Sequence, residues 1–390
     1  MRFLLVLLLG GALTGCFGRL GESEFRLDGA DVENDDFANA LYQTTGARMV
    51  PGNLIVPVDD GRVFEEEIEA IHQAKTTVHI VTFIWSDGQV SNRIIDALAG
   101  RIRAGVRCRI IVDAVGSTDF GKLQRRLELL GCEAYRFRLI PGQDDIARVH
   151  RKIIIVDGRV GFTGGFGIDD RWDGDGLHDD PPQWRDSNVM VRGPVVAQMQ
   201  QAFAENWQEV TGSLLPATSF PQIEEAGPSI AAFVTSVENS VVTKNERLTQ
   251  LFIASAKKRI WIANAYFLPS QPIQDLLARK AHAGVDVRVL AAGEKTDIRV
   301  YLPAQRSRMD KLATAGVHAF EYIPAMMHAK TMLLDDRYFV VGSCNMDPFS
   351  LNKMDEGALV VDDPKLAADE QRRLMTDLKN SDERKLRKTN

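Results

Sequence analysis

Two short segments carry residue types that could do chemistry on phosphorus. His150-Arg-Lys152 runs on through Ile-Ile-Ile-Val to Asp157-Gly158, and His328-Ala-Lys330 runs on through Thr-Met-Leu-Leu to Asp335. Both read His-x-Lys-x4-Asp. At the same later offset comes a pair of small residues, Gly164-Gly165 in one and Gly342-Ser343 in the other, the second continuing to Cys344-Asn345. In an extended strand residues two apart share a face, so each histidine projects with its lysine, and each aspartate falls where a turn begins. A phosphodiester is anionic and repels hydroxide, whereas a neutral imidazole can attack it near neutral pH. One histidine can form a phosphohistidine while the other protonates the departing alcohol and later deprotonates the incoming one. Lys152, Lys330 and Asn345 can donate to the non-bridging oxygens as charge shifts. Ser343 and Ser350 are either further donors or turn formers. Two ammonium groups already supply positive charge and no His/Asp cluster has ligand spacing, so neither a metal nor another cofactor is expected.

The elements that must hold these segments repeat. Ala74-Lys75 leads into a strand-like run from Val78 to Trp85, a helix around Asn92 to Ala104, Gly105-Val106 and a strand from Cys108 to Val112. Ala256-Lys257 leads into Ile260 to Leu268, a helix around Ile273 to Ala283, Gly284-Val285 and a strand from Val287 to Leu290. His150 and His328 are 178 residues apart, and Gly105 and Gly284 are 179 apart. A repeat at that spacing implies two halves of one design, and strands alternating with amphipathic stretches imply an α/β class. The expected organisation is 48–213 as an N-terminal domain, 214–228 as a Pro/Ser/Thr-rich linker after a helix near Val195 to Thr211, and 229–390 as a C-terminal domain. Residues 16–47 read as a polar tether.

Composition narrows the function classes. An apolar fraction of 45% and a charged fraction of 26% are those of a globular chain. A formal net charge of -6, with no basic stripe, argues against nucleic acid as partner. Residues 1–15 read as an export signal: Arg2, the apolar run Phe3 to Leu9, then small residues. That run is too short to span a bilayer. Leu13-Thr14-Gly15-Cys16 resembles the lipobox of bacterial lipoproteins, which implies cleavage before Cys16 and its acylation, and hence a bacterial envelope protein held on the membrane and facing the periplasm. Phe17, rather than Asp, after the cysteine points to the outer membrane over the inner. Cys108, Cys132 and Cys344 fit no metal pattern and are expected as buried thiols, with a Cys108–Cys132 pairing as the alternative.

The duplicated motif resembles that of the phospholipase D superfamily, over about Val50 to Asp377. Within it, Gly161-Phe-Thr-Gly-Gly165, Trp184-Arg-Asp186, Gly193-Pro194 and Phe203 to Trp207 resemble the bacterial cardiolipin synthase-like branch. The resemblance implies two pseudo-twofold-related α/β/α halves, each with a mixed, mostly parallel sheet, whose motifs face each other. It assigns the nucleophile to His150 and the acid/base to His328, although the residues alone allow the swap. A catalytic imidazole needs its second nitrogen held by an acceptor. By resemblance Asp186 is that partner for the first histidine and Glu356 for the second, while Asp157 and Asp335 fix turns. Gly167 departs from the pattern, standing where the family has Asn, so the first half-site is short of one amide donor. The implied activity is phosphatidyl transfer on a membrane phospholipid, cardiolipin from phosphatidylglycerol above all. Hydrolysis, nuclease action and a silent lipid-binding protein are the alternatives, and the oligomeric state is left open. Phe83, Trp85, Tyr266 and Phe267 end matched strands as core or substrate contacts. His72, His79, His178, His282 and His318 lack matched partners and are expected to be structural.

Overall fold

The apolar runs that precede and follow each motif become the centre of one long sheet. The computed structural model describes residues 25–27, 36–138, 147–237 and 242–384, so the expected signal peptide and Cys16 lie outside the described residues. In the first half the strands are β1 (Val50–Pro57), β2 (Thr77–Thr82), β3 (Arg107–Asp113), β4 (Glu133–Phe137), β5 (Arg148–Val149), β6 (Ile153–Val156), β7 (Val160–Gly164) and β8 (Asn188–Arg192). In the second they are β9 (Ser229–Ser236), β10 (Arg259–Asn264), β11 (Asp286–Ala292), β12 (His318–Tyr322), β13 (Lys330–Leu334), β14 (Tyr338–Gly342), β15 (Met354–Asp362) and β16 (Ser381–Glu383).

Their spatial order repeats the sequence repeat. One half runs β1-β8-β7-β6-β2-β3-β4 and the other β9-β15-β14-β13-β10-β11-β12, with β16 added at the far edge. The two runs join where β1 and β9 pair antiparallel, which places a pseudo-twofold axis at the sheet's middle. The sheet is mixed, but the expectation of mostly parallel pairing needs correction. Among the described strand pairs, those of β2-β3-β4, β10-β11-β12 and the short β5–β15 contact are parallel, and the rest are antiparallel. The motif strands β6 and β13 each belong to a tight antiparallel hairpin, with β7 and β14, because the motif Asp turns the chain back on itself.

Every residue of β6 is buried, and each such aliphatic side chain contributes about 1.5–3 kcal/mol by leaving water. Burial on both faces follows from helices α2 (Arg62–Gln73) and α3 (Val196–Thr211), which both pack on β6. Part of the expected tether is instead folded. Helix α1 (Phe37–Thr45) sets Phe37 and Leu41, one turn apart, against the second half, with Phe37 ring centroids 5.9 Å from Phe252 and 4.4 Å from Tyr338. A two-residue apolar stripe is hidden by the polar composition around it.

Cys108 and Cys132 are joined in a disulfide, correcting the expectation of free thiols. The parallel register that pairs Arg109 with Glu133 also sets the preceding residues side by side, with Cα atoms 4.6 Å apart. Cys344 is the free thiol.

Candidate active site

Each motif histidine sits just ahead of its strand, where the chain crosses from one half to the other. The short parallel pairing of β5 with β15 matches Arg148 with Met354 and Val149 with Asp355. The His150 amide then donates to the Asp355 carbonyl at 2.8 Å, which brings His150 beside Glu356. On the other side Arg185 bridges Met327 in parallel, and the His328 amide donates to the Arg185 carbonyl at 2.7 Å, which brings His328 beside Asp186. The carboxylates are therefore crossed relative to the assignment made from resemblance. His150 Nδ1 lies 2.9 Å from Glu356 Oε1, and His328 Nδ1 lies 2.8 Å from Asp186 Oδ2. Parallel register across the pseudo-twofold, rather than neighbourhood within one half, selects the partner.

Both imidazoles line one cleft of about 410 Å³ together with Lys152 and Asn345. Trp172, Trp184, Tyr266, Tyr301 and Phe83 belong to its apolar wall. Lys152 and Lys330 are buried, at 2% and 4% exposure, and Lys330 Nζ stands 3.0 Å from His328 Nε2. Phe83 packs edge-on to His150, with ring centroids 4.9 Å apart, and Tyr266 faces His328 at 6.4 Å. Of the four strand-end aromatics, these two meet the cleft, while Trp85 and Phe267 are core.

Burial sets the protonation states. It pulls His150 down to about 4, against the opposing pull of Glu356, and pushes His328 well below its ordinary value, with the adjacent Lys330 adding to the effect. Taking a cation out of water is costly, so Lys152 is driven well below the usual lysine range and Lys330 to about 8. Asp186 is raised to about 6 by burial, with Lys330 and the Trp172 indole pulling the other way. Burial pushes Glu356 up too, but His150, Lys152 and Ser343 outweigh it and leave Glu356 below the ordinary carboxylate value.

Ser343 is displaced from the role expected of it. Its hydroxyl donates to Glu356 Oε2 in a fully buried position, away from the cleft lining, so it braces a carboxylate instead of meeting a phosphate. Asn345 does reach the cleft. Asp157 and Asp335 both adopt left-handed backbone, φ 55° and 51°. Asp157 accepts the amides of Lys75, Thr76 and Thr77, and Asp335 those of Lys257, Lys258 and Arg259. Each thus ties its hairpin to the strand beside it. Gly164 has φ 157°, and a Cβ there would meet Asn188 Oδ1 at 2.2 Å.

Several supporting residues escaped the reading of the sequence. Arg151, the variable residue of the first motif, is fully buried and donates to the Glu356 carbonyl at 3.1 Å and to Asn206 at 3.0 Å. Arg185 is braced by Asp377 at 3.0 Å, while Asp60 accepts the Asp186 amide at 2.8 Å. The Trp172 indole donates to Asp186 Oδ2 at 2.8 Å. Its one signal was an aromatic following closely on the anomalous Gly167. Among the described residues, no group of three or more His, Cys, Asp or Glu side chains is placed to hold a metal ion, and no helix is long and apolar enough to cross a membrane.

The chain is similar to known proteins over most of its length. The family described as cardiolipin synthase, PLD-like domain, matches residues 68–207 and 249–378. Cardiolipin synthase 1 of Bacillus cereus is 33% identical over 339 residues, covering 83% of this chain and 65% of that one. Cardiolipin synthase A of Pseudomonas putida is 30% identical over 333 residues, covering 83% and 68%. The chain thus spans about three fifths to two thirds of the length of the curated relatives it matches. The crystal structure of a phosphatidylserine synthase from Haemophilus influenzae superposes with a TM-score of 0.72, covering 90% of this chain and 92% of that one. At 12% identity that likeness shows the fold alone.

Proposed function

We propose, for a chain that belongs to the family of cardiolipin synthase, PLD-like domains, that it transfers a phosphatidyl group between alcohols through a phosphohistidine. The observation that carries this is the pair of imidazoles on one cleft, each held at Nδ1 by a carboxylate from the other half. His150, neutral in the buried site, attacks phosphorus through Nε2. The P–O bond to the leaving alcohol breaks, and His328 gives that oxygen its proton. His328 then takes the proton of the incoming alcohol, whose oxygen displaces His150 from phosphorus. Lys152, Lys330 and Asn345 hold the non-bridging oxygens. Burial, and after it the two lysines, oppose a charged His328. A bound phosphodiester anion offsets them and lets His328 carry the proton that the leaving group needs.

The specific reaction proposed is phosphatidylglycerol to cardiolipin plus glycerol. The apolar cleft wall supports it by disfavouring water as the acceptor. Acylation of Cys16 would keep the site beside its substrate in the bacterial envelope. Purified protein incubated with phosphatidylglycerol should yield cardiolipin and glycerol by chromatography, and His150→Ala should abolish both. Phosphatidic acid as the product would instead mean hydrolysis. Nicked plasmid with no lipid product would mean a nuclease. Wild-type turnover by His150→Ala would remove the nucleophile from this scheme.

A further inference from the structure

We propose that Trp172 is a positioning residue for His328, forming a relay Trp172–Asp186–His328 that matches a relay Ser343–Glu356–His150 across the pseudo-twofold. The proposal rests on the reading of His328 as the acid/base.

The two carboxylates are served alike by different donors. Glu356 takes the His150 ring N–H on one oxygen and the Ser343 hydroxyl on the other. Asp186 takes the His328 and Trp172 N–H groups on Oδ2, both at 2.8 Å, and the Ser187 amide on Oδ1 at 2.8 Å. By the motif offset the counterpart of Ser343 is Gly165. A Cβ on Gly165 would lie 2.3 Å from Asp186 Oδ1 and 2.6 Å from Oδ2. No serine fits there, because the Asp186 carboxylate itself stands where the added Cβ would go. The bracing donor must come from farther away and from another direction, and the indole supplies it.

Gly167 belongs to the same arrangement. Its counterpart is Asn345, and a Cβ at 167 would stand 3.1 Å from Cη2 and Cζ3 of Trp172 and 3.1 Å from Ile84 Cβ. The far edge of the indole occupies the space next to this glycine. Trp172 is 1% exposed, and it also packs edge-on to His328 at 5.0 Å and to Trp184 at 4.3 Å. The departure at 167 thus leaves room for the tryptophan that holds Asp186, since a side chain there would press on the indole and on Ile84. The two relays differ chemically: an indole N–H only donates, whereas a hydroxyl donates or accepts. A proton on Asp186 Oδ2 would face that N–H, so His328 exchanges its proton through Nε2, toward the cleft.

The test is Trp172→Phe, which keeps the ring but removes the N–H. Asp186 also faces Lys330 and Arg185, and Asp60 accepts its amide, so these are left intact. The relay predicts that kcat falls about tenfold, as for loss of one hydrogen bond to a charged group, and that the acid limb of the pH–rate profile moves up. Unchanged kcat with an unmoved acid limb overturns the proposal. Gly167→Ala, which pushes the indole with a methyl group while leaving its N–H, should move the limb the same way. If Trp172→Phe fails to fold, a wild-type profile from Gly167→Ala overturns the relay. Should the wild-type protein turn over no lipid, the parent reading fails, and ¹⁵N-histidine spectra still decide the relay. The His328 Nδ1–H signal should be present in the wild type and exchange-averaged in Trp172→Phe, and an identical signal in both overturns it.

Discussion

Replacing Glu356 by Gln tests the crossed wiring directly. Glu356 is fully buried, and its Oε1 lies 2.9 Å from His150 Nδ1. As His150 bonds to phosphorus, its ring gains positive charge next to this carboxylate. Two unit charges at that separation interact by about 6 kcal/mol at an effective dielectric of about 20. The imidazolium charge is spread over the ring, so about half of that, about 3 kcal/mol, acts on the carboxylate. Losing it slows the chemical step by roughly 100-fold. Because glutamine matches glutamate in shape and Glu356 is not part of the cleft lining, KM for phosphatidylglycerol should change little. Steady-state transfer assays give kcat and KM, and ¹⁵N-histidine spectra show which ring is disturbed. Glu356→Gln should shift the His150 resonances and leave those of His328 in place, and Asp186→Asn should do the reverse. A kcat within threefold of wild type, or a disturbance that appears on His328 in place of His150, would refute the reasoning.

Two other expectations follow from the same coordinates. Asp186 must be ionised to accept from His328, and burial raises it to about 6, so kcat/KM should fall as pH drops through that value. Lys330, lowered to about 8 by burial, loses its charge above it, so kcat/KM should fall again there and peak near pH 7. Lys330→Arg should carry the alkaline limb upward, and an unmoved limb would assign it to another group. Reduction of Cys108–Cys132 reopens a loop of 24 residues, which should lower stability by about 3 kcal/mol in urea melts at unchanged kcat. A loss below about 1 kcal/mol would mean that the reduced chain stays constrained by other contacts.

The sequence by itself determined the repeat, the α/β class and the two His-Lys pairs that could do the chemistry. Duplication leaves its mark at fixed offsets, and a strand's period of two is written directly in the residues. Asp186 and Glu356 were also legible as the acidic pair. Which histidine each one holds was decided only in three dimensions, by two parallel bridges across the halves that have no local signature. The same holds for the Cys108–Cys132 bond, which follows from β3–β4 register, and for Ser343, whose hydroxyl turns toward Glu356 and away from the cleft. At Gly167 the chain reads as lacking a donor, and only packing reveals the indole beside it. Local pattern encodes what each residue can do, whereas contacts between residues far apart in the chain depend on how closed elements pack, and that information resides in their mutual geometry.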